Sequence, residues 1–133
     1  MAYYIKLYFS TLAVFFSVDI IWLTLIASKF YQKYLGYLMS PTPNWLAAIL
    51  FYLLFIVGVL VLVVLPGLKS GSLRSTLWRA ALFGLTTYAT YDLTNLATIK
   101  DWPLLITVVD LAWGTTLSVI VSAASYFIGR RLA

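Results

Sequence analysis

The chain has 133 residues, of which 63% are hydrophobic and 10% charged, and its mean hydropathy is +0.98; this excludes an ordinary soluble domain and places it among membrane proteins. Nine Lys/Arg against four acidic residues give a net charge of +5, but with no basic stripe those cations mark lipid headgroup contacts and no nucleic acid is expected as a partner. Cysteine and histidine are absent, which removes disulfides, thiol catalysis, a Ser-His-Asp triad and the usual zinc, copper and haem sites.

Tyr4 to Ala27 is the first apolar run, interrupted by Lys6 near its start and Asp19 within it. It is longer than the apolar region of a signal peptide, its positive flank is slight, and no A-x-A-like site follows. It reads as a first transmembrane helix over about 4–27. Ser28 to Asn44 is too polar to span. Phe30, Tyr31, Tyr34, Leu35 and Leu38 fall at helical spacing, with Lys29, Gln32 and Lys33 opposite, which suits an interfacial helix or an extension of helix 1 along the headgroups. Pro41 and Pro43 break it.

Trp45 to Leu65 is the most lipid-like stretch, without a charge, and Pro66-Gly67 is expected to end it. A basic turn with Lys69 and Arg74 leads into a third span over about 77–98. The fourth covers about 103–128, with Pro103 suited to a first helical turn and Asp101 to the positive helix end. The expected architecture is all-α, an integral membrane four-helix bundle forming a single domain over 1–133. Lys6, Lys69, Arg74, Arg79, Arg130 and Arg131 lie on one side, and Lys29, Lys33 and Lys100 on the other. The excess of basic residues predicts cytoplasmic termini.

Three acids interrupt these spans: Asp19, Asp92 and Asp110. An ionised carboxylate in hydrocarbon costs several kcal/mol, so such residues usually face a bundle interior and mark function. Counted from Ser28, Lys100 and Asp101, each lies ~12–14 Å from the same, outer face, which predicts one acidic layer. Trp22, Asn95 and Trp113 follow the three acids by three residues and Tyr88 precedes Asp92 by four, so each shares a face with an acid. These seven residues are the candidate ligand-binding set; no catalytic or metal residue is assigned.

The stripes Ala80, Gly84, Tyr88, Asp92 and Asp110, Gly114, Ser118, Ser122 predict close approach of helices 3 and 4. Helix 2 offers nothing polar to the layer and is expected to be peripheral. The plainer alternatives are that the acids serve only as interhelical glue, and that Trp22 and Trp113 belong to an aromatic belt. No Lys or Arg lies at that depth, so at least one acid is expected to hold a proton or meet a cation from outside.

Val18-Asp19-Ile20-Ile21-Trp22-Leu23-Thr24 resembles Val109-Asp110-Leu111-Ala112-Trp113-Gly114-Thr115. Across two antiparallel spans this pattern fits either an inverted repeat or convergence on one polar motif. With the stretch YDLTNLATIKDWP and with VVDLAWG, the chain resembles over essentially its whole length a bacterial family of small membrane proteins. That family is catalogued as a domain of unknown function, number twenty-one seventy-seven. The resemblance implies a four-helix integral membrane protein without an established activity, hints at fatty-acyl modification, and marks Asp92, Asn95, Asp101, Trp102, Pro103, Asp110 and Trp113 as signature positions.

The leading functional expectation is an intramembrane Asp/Trp/Asn pocket near the outer leaflet. It would bind or transport a cation, a proton-coupled substrate or an amphipathic small molecule, since carboxylates beside aromatic faces suit organic cations. The alternatives are a lipid- or fatty-acyl-modifying membrane enzyme or its partner subunit, using paired carboxylates, and a purely structural membrane partner. No cofactor is expected, and a hard, oxygen-bound divalent cation is the one metal class left open. The lipid bilayer, a lipid or small-molecule ligand and a homo-oligomer are the partners in view.

Overall fold

The computed structural model describes residues 1–133 as four long helices without strands. They are α1 (Ala2–Leu35), α2 (Trp45–Ser70), α3 (Leu73–Thr98) and α4 (Leu104–Leu132). By length and composition α1, α2 and α4 are apolar enough to cross a membrane. With 26 residues, α3 is ~39 Å long, but it carries Arg74, Arg79, Asp92, Asn95 and six threonines. Its polar groups are tolerable because it packs most extensively against α4.

Helix 1 does not stop at Ala27. It passes through one π-helical turn, Leu23–Ala27, and continues as α-helix from Ser28 to Leu35. Leu35 packs with Trp102 and Ile106, so this last segment lies over the start of α4. Nor does Pro66 end α2, as expected from its sequence. A π-helical turn, Val59–Val64, precedes it, and the helix runs on to Ser70 before Gly71 turns left-handed at φ +65°. A proline inside a membrane helix is tolerated where π adjustments re-satisfy the backbone. Asn44 and Ser72 cap α2 and α3, accepting from the N–H groups of Ala47 and Ser75 at 3.1 Å each.

The main apolar core joins Leu7 and Phe15 of α1, Leu117 and Val121 of α4, and Phe55, Ile56, Val59, Leu60 and Val64 of α2. The expectation of a peripheral α2 is therefore wrong. Its buried residues recur at helical spacing, but they are chemically identical to its lipid-facing ones, so no polar face marks the stripe.

Two glycines let α3 and α4 close on each other. A Cβ on Gly84 would meet the Gly114 carbonyl oxygen and the Ser118 side chain, and one on Gly114 would enter the Tyr88 ring. With hydrocarbon on every side, such close packing is what holds membrane helices together. At the end where the chain starts and finishes, the Tyr3 hydroxyl donates to the Gly129 carbonyl at 3.1 Å, and the Thr11 and Ser125 hydroxyls bond to each other.

Candidate functional site

Asp92 lies six residues before the end of α3 at Thr98, and Asp110 six after the start of α4 at Leu104. The Gly84–Gly114 contact sets the helix register that brings the two carboxyls close together. Both are buried, Asp92 at 0% exposure and Asp110 at 6%. Their surroundings differ. The Tyr31 hydroxyl, from the last turns of α1, donates to Asp110 Oδ1. Neither oxygen of Asp92 accepts from any N–H or O–H of the chain. Two ionised carboxylates have no donor to exchange, so a bond between them exists only when one carries a proton. No lysine or arginine stands beside either acid.

Asp19 is not in this pair. Its Oδ2 accepts from the Tyr52 hydroxyl of α2 at 3.3 Å, a residue outside the candidate set. Stacking of Trp22 on Trp113 fixes the register of α1 against α4. Asp110 is instead bonded to Tyr31, twelve residues beyond Asp19 on α1. The single acidic layer is thereby corrected to a pair and a separate acid. Its depth was counted from Ser28, whereas α1 continues to Leu35 and buries Asp19 further from that end. No third carboxylate joins the pair.

Trp22 and Trp113 lie ring to ring, with centroids 4.3 Å apart and planes 8° from parallel. Neither lines a cavity beside the acids. The Trp22 indole lies near the Tyr31 hydroxyl, which donates to Asp110. Asn95 is half-buried one turn beyond Asp92, near Tyr91. Tyr88 lies close to all three acids. Trp102 is buried, and its indole N–H donates to Thr107 Oγ1 at 3.1 Å. Asp101 is exposed at the α3–α4 loop, with φ +60°.

Beside the acid pair is a cavity of about 460 Å³. Asp92, Asp110, Tyr88, Tyr91 and Thr87 form its α3–α4 side, Phe51 and Phe55 its α2 side, and Tyr31, Leu35 and Met39 its roof. Of the candidate set, then, Tyr88, Asp92 and Asp110 line the cavity and Asp19, Trp22, Asn95 and Trp113 do not. Tyr31 was the residue hardest to foresee, because its apolar neighbours suited a headgroup-facing segment. Helix α2 meets α3 mainly through Val59–Val64, with Phe83 of α3 packed on Phe55 and Gly58, and the two backbones stand apart toward Trp45. Phe51 is 51% exposed and Tyr91 59%, so the gap between them opens sideways, toward lipid in a membrane.

Residues 4–127 match the family described as predicted membrane protein (DUF2177), and the chain belongs to that family. No curated protein and no solved structure matches it.

Proposed function

We propose that this member of the predicted membrane protein family is a membrane-embedded binding protein whose cavity takes an amphipathic small molecule. The polar end of the ligand sits at Asp92 and Asp110, and its apolar part lies along Phe51, Phe55, Leu35 and Met39. Asp92 carries this reading. It is wholly buried, lines the cavity, and has no donor for either oxygen. An unpaired buried acceptor costs about 1–3 kcal/mol, and a charged one more. An acid kept only as glue is expected to have a donor in the fold, as Asp110 has Tyr31 and Asp19 has Tyr52.

The cavity volume of about 460 Å³ falls within the ~300–1,000 Å³ of small-molecule sites. Its sideways gap suits a ligand that partitions into the bilayer first. The six-to-three asymmetry of basic residues supports cytoplasmic termini, which puts the acid pair in the outer half of the membrane.

The test is thermal melting of the purified protein with twelve-carbon amphiphiles bearing amine, hydroxyl or carboxylate heads. At least one is expected to raise the melting temperature saturably, as binding to the folded state requires. The variant Thr87→Trp, which fills the cavity from α3, is expected to lose that response. A panel without effect, or an equal effect in Thr87→Trp, overturns the proposal.

A lipid-modifying enzyme is the second reading, favoured by the unequal surroundings of the two carboxyls. Acid–base chemistry needs one proton donor and one acceptor, a difference that environment creates between paired acids. A mass change in a lipid extract incubated with the protein, lost in Asp92→Asn, would support it.

A further inference from the structure

We infer that the ligand of this cavity carries a primary ammonium head and no phosphate, and that Asp92 is the residue that selects it. The inference rests on the binding role proposed above and adds the chemical class of the ligand. Two independent features support it beyond the mere presence of acids. Asp92 is fully buried with both oxygens unpartnered, and it lines an open cavity.

The donors missing from the fold must come from the ligand. An ammonium brings three N–H groups and no acceptor. They supply the donor that one Asp92 oxygen still lacks when its other oxygen shares a proton with Asp110, whose remaining oxygen is held by Tyr31. A proton shared between the two carboxyls leaves the pair with one negative charge, which one ammonium cancels. Tyr88 and Tyr91 add aromatic rings to the same wall, and aromatic rings attract cations.

The lining also excludes other heads. A carboxylate or phosphate would meet like charge, and no lysine or arginine lines the cavity to receive it. A phosphoethanolamine head would bury its phosphate unpaired even with its amine at Asp92. A quaternary ammonium keeps the charge but offers no N–H. The occupant is therefore an apolar amine, with its chain extending between Phe51 and Tyr91.

The experiment compares dodecylamine, dodecyltrimethylammonium, dodecanol, dodecanoate and a short-chain phosphatidylethanolamine. Binding to the full-length protein in neutral detergent is measured for the native chain and for Asp92→Asn, with helical circular dichroism as the check on folding. Dodecylamine is expected to bind native protein at least tenfold more tightly than any other probe. Asp92→Asn is expected to weaken dodecylamine at least tenfold and dodecanol less than threefold. Asp92→Ser replaces it should the asparagine variant not fold. Dodecanol or dodecanoate binding as tightly as dodecylamine would overturn the ammonium inference alone and leave an amphiphile site standing. Phosphatidylethanolamine binding as tightly would overturn the exclusion of phosphate. Dodecylamine affinity unchanged by both Asp92 variants would overturn the selecting role of Asp92. Failure of every probe to bind native protein would overturn the binding role itself, and this inference with it.

Discussion

Replacing Asp92 with asparagine is expected to stabilise the protein. Both Asp92 oxygens are buried without a donor, and the carboxyl of Asp110 stands beside them. Each unsatisfied acceptor costs about 1–3 kcal/mol, while a proton shared with Asp110 returns about one hydrogen bond, near 1 kcal/mol. The asparagine amide keeps the size of the side chain and donates to Asp110 without an added proton. It also removes the repulsion between two acids. The net gain is about 1–3 kcal/mol, and a chain of this length shifts its melting temperature by roughly 3–5 °C per kcal/mol. A rise of at least ~3 °C in detergent is expected, together with loss of ligand response, as where a strained site is kept for function. Tyr31→Phe gives the opposite sign. It removes a donor from Asp110, and a bond to a charged acceptor contributes about 1.5–3 kcal/mol. An Asp92→Asn protein that melts at the native temperature or below it refutes the reasoning, because Asp92 would then have partners inside the fold.

Gly84→Val is expected to separate α3 from α4, since the new side chain meets the Gly114 carbonyl and Ser118. Overpacking of this kind costs about 1–3 kcal/mol, and a native melting temperature would contradict the close contact. Topology is checked by single cysteines, unambiguous because the chain has none of its own. Lys100→Cys in intact cells is expected to react with an impermeant maleimide and Ser70→Cys to stay unlabelled, and the reverse pattern would invert the orientation.

Asp92 and Asp110 were legible because a charge in an apolar run is conspicuous, and because Gly84 and Gly114 announce where two backbones meet. Less legible was the face α2 turns inward. In WLAAILFYLLFIVGVLVLVVL buried and lipid-facing positions share one chemistry, so the Tyr52 bond to Asp19 and the Phe51 and Phe55 wall left no pattern. The depth of Asp19 was misread because Ser28 looks like a boundary, and a π-helical turn that carries a helix past one has no plain residue signature. Spacing sets Trp22 beside Asp19 and Trp113 beside Asp110, whereas the two indoles pair with each other. Periodicity gives the face of one helix, whereas that pairing depends on the register between two.

An amphiphile seated against Asp92 in the gap between α2 and α3 is located by photo-crosslinking. A dodecylamine carrying a diazirine midway along its chain is bound, irradiated and mapped by peptide mass spectrometry. Adducts are expected at Phe51, Phe55, Leu35 and Met39, which line the cavity, and excess unlabelled dodecylamine is expected to remove them. Adducts spread over lipid-facing residues such as Leu25 and Leu54, which are 74% and 71% exposed, and insensitive to competitor, would contradict that placement.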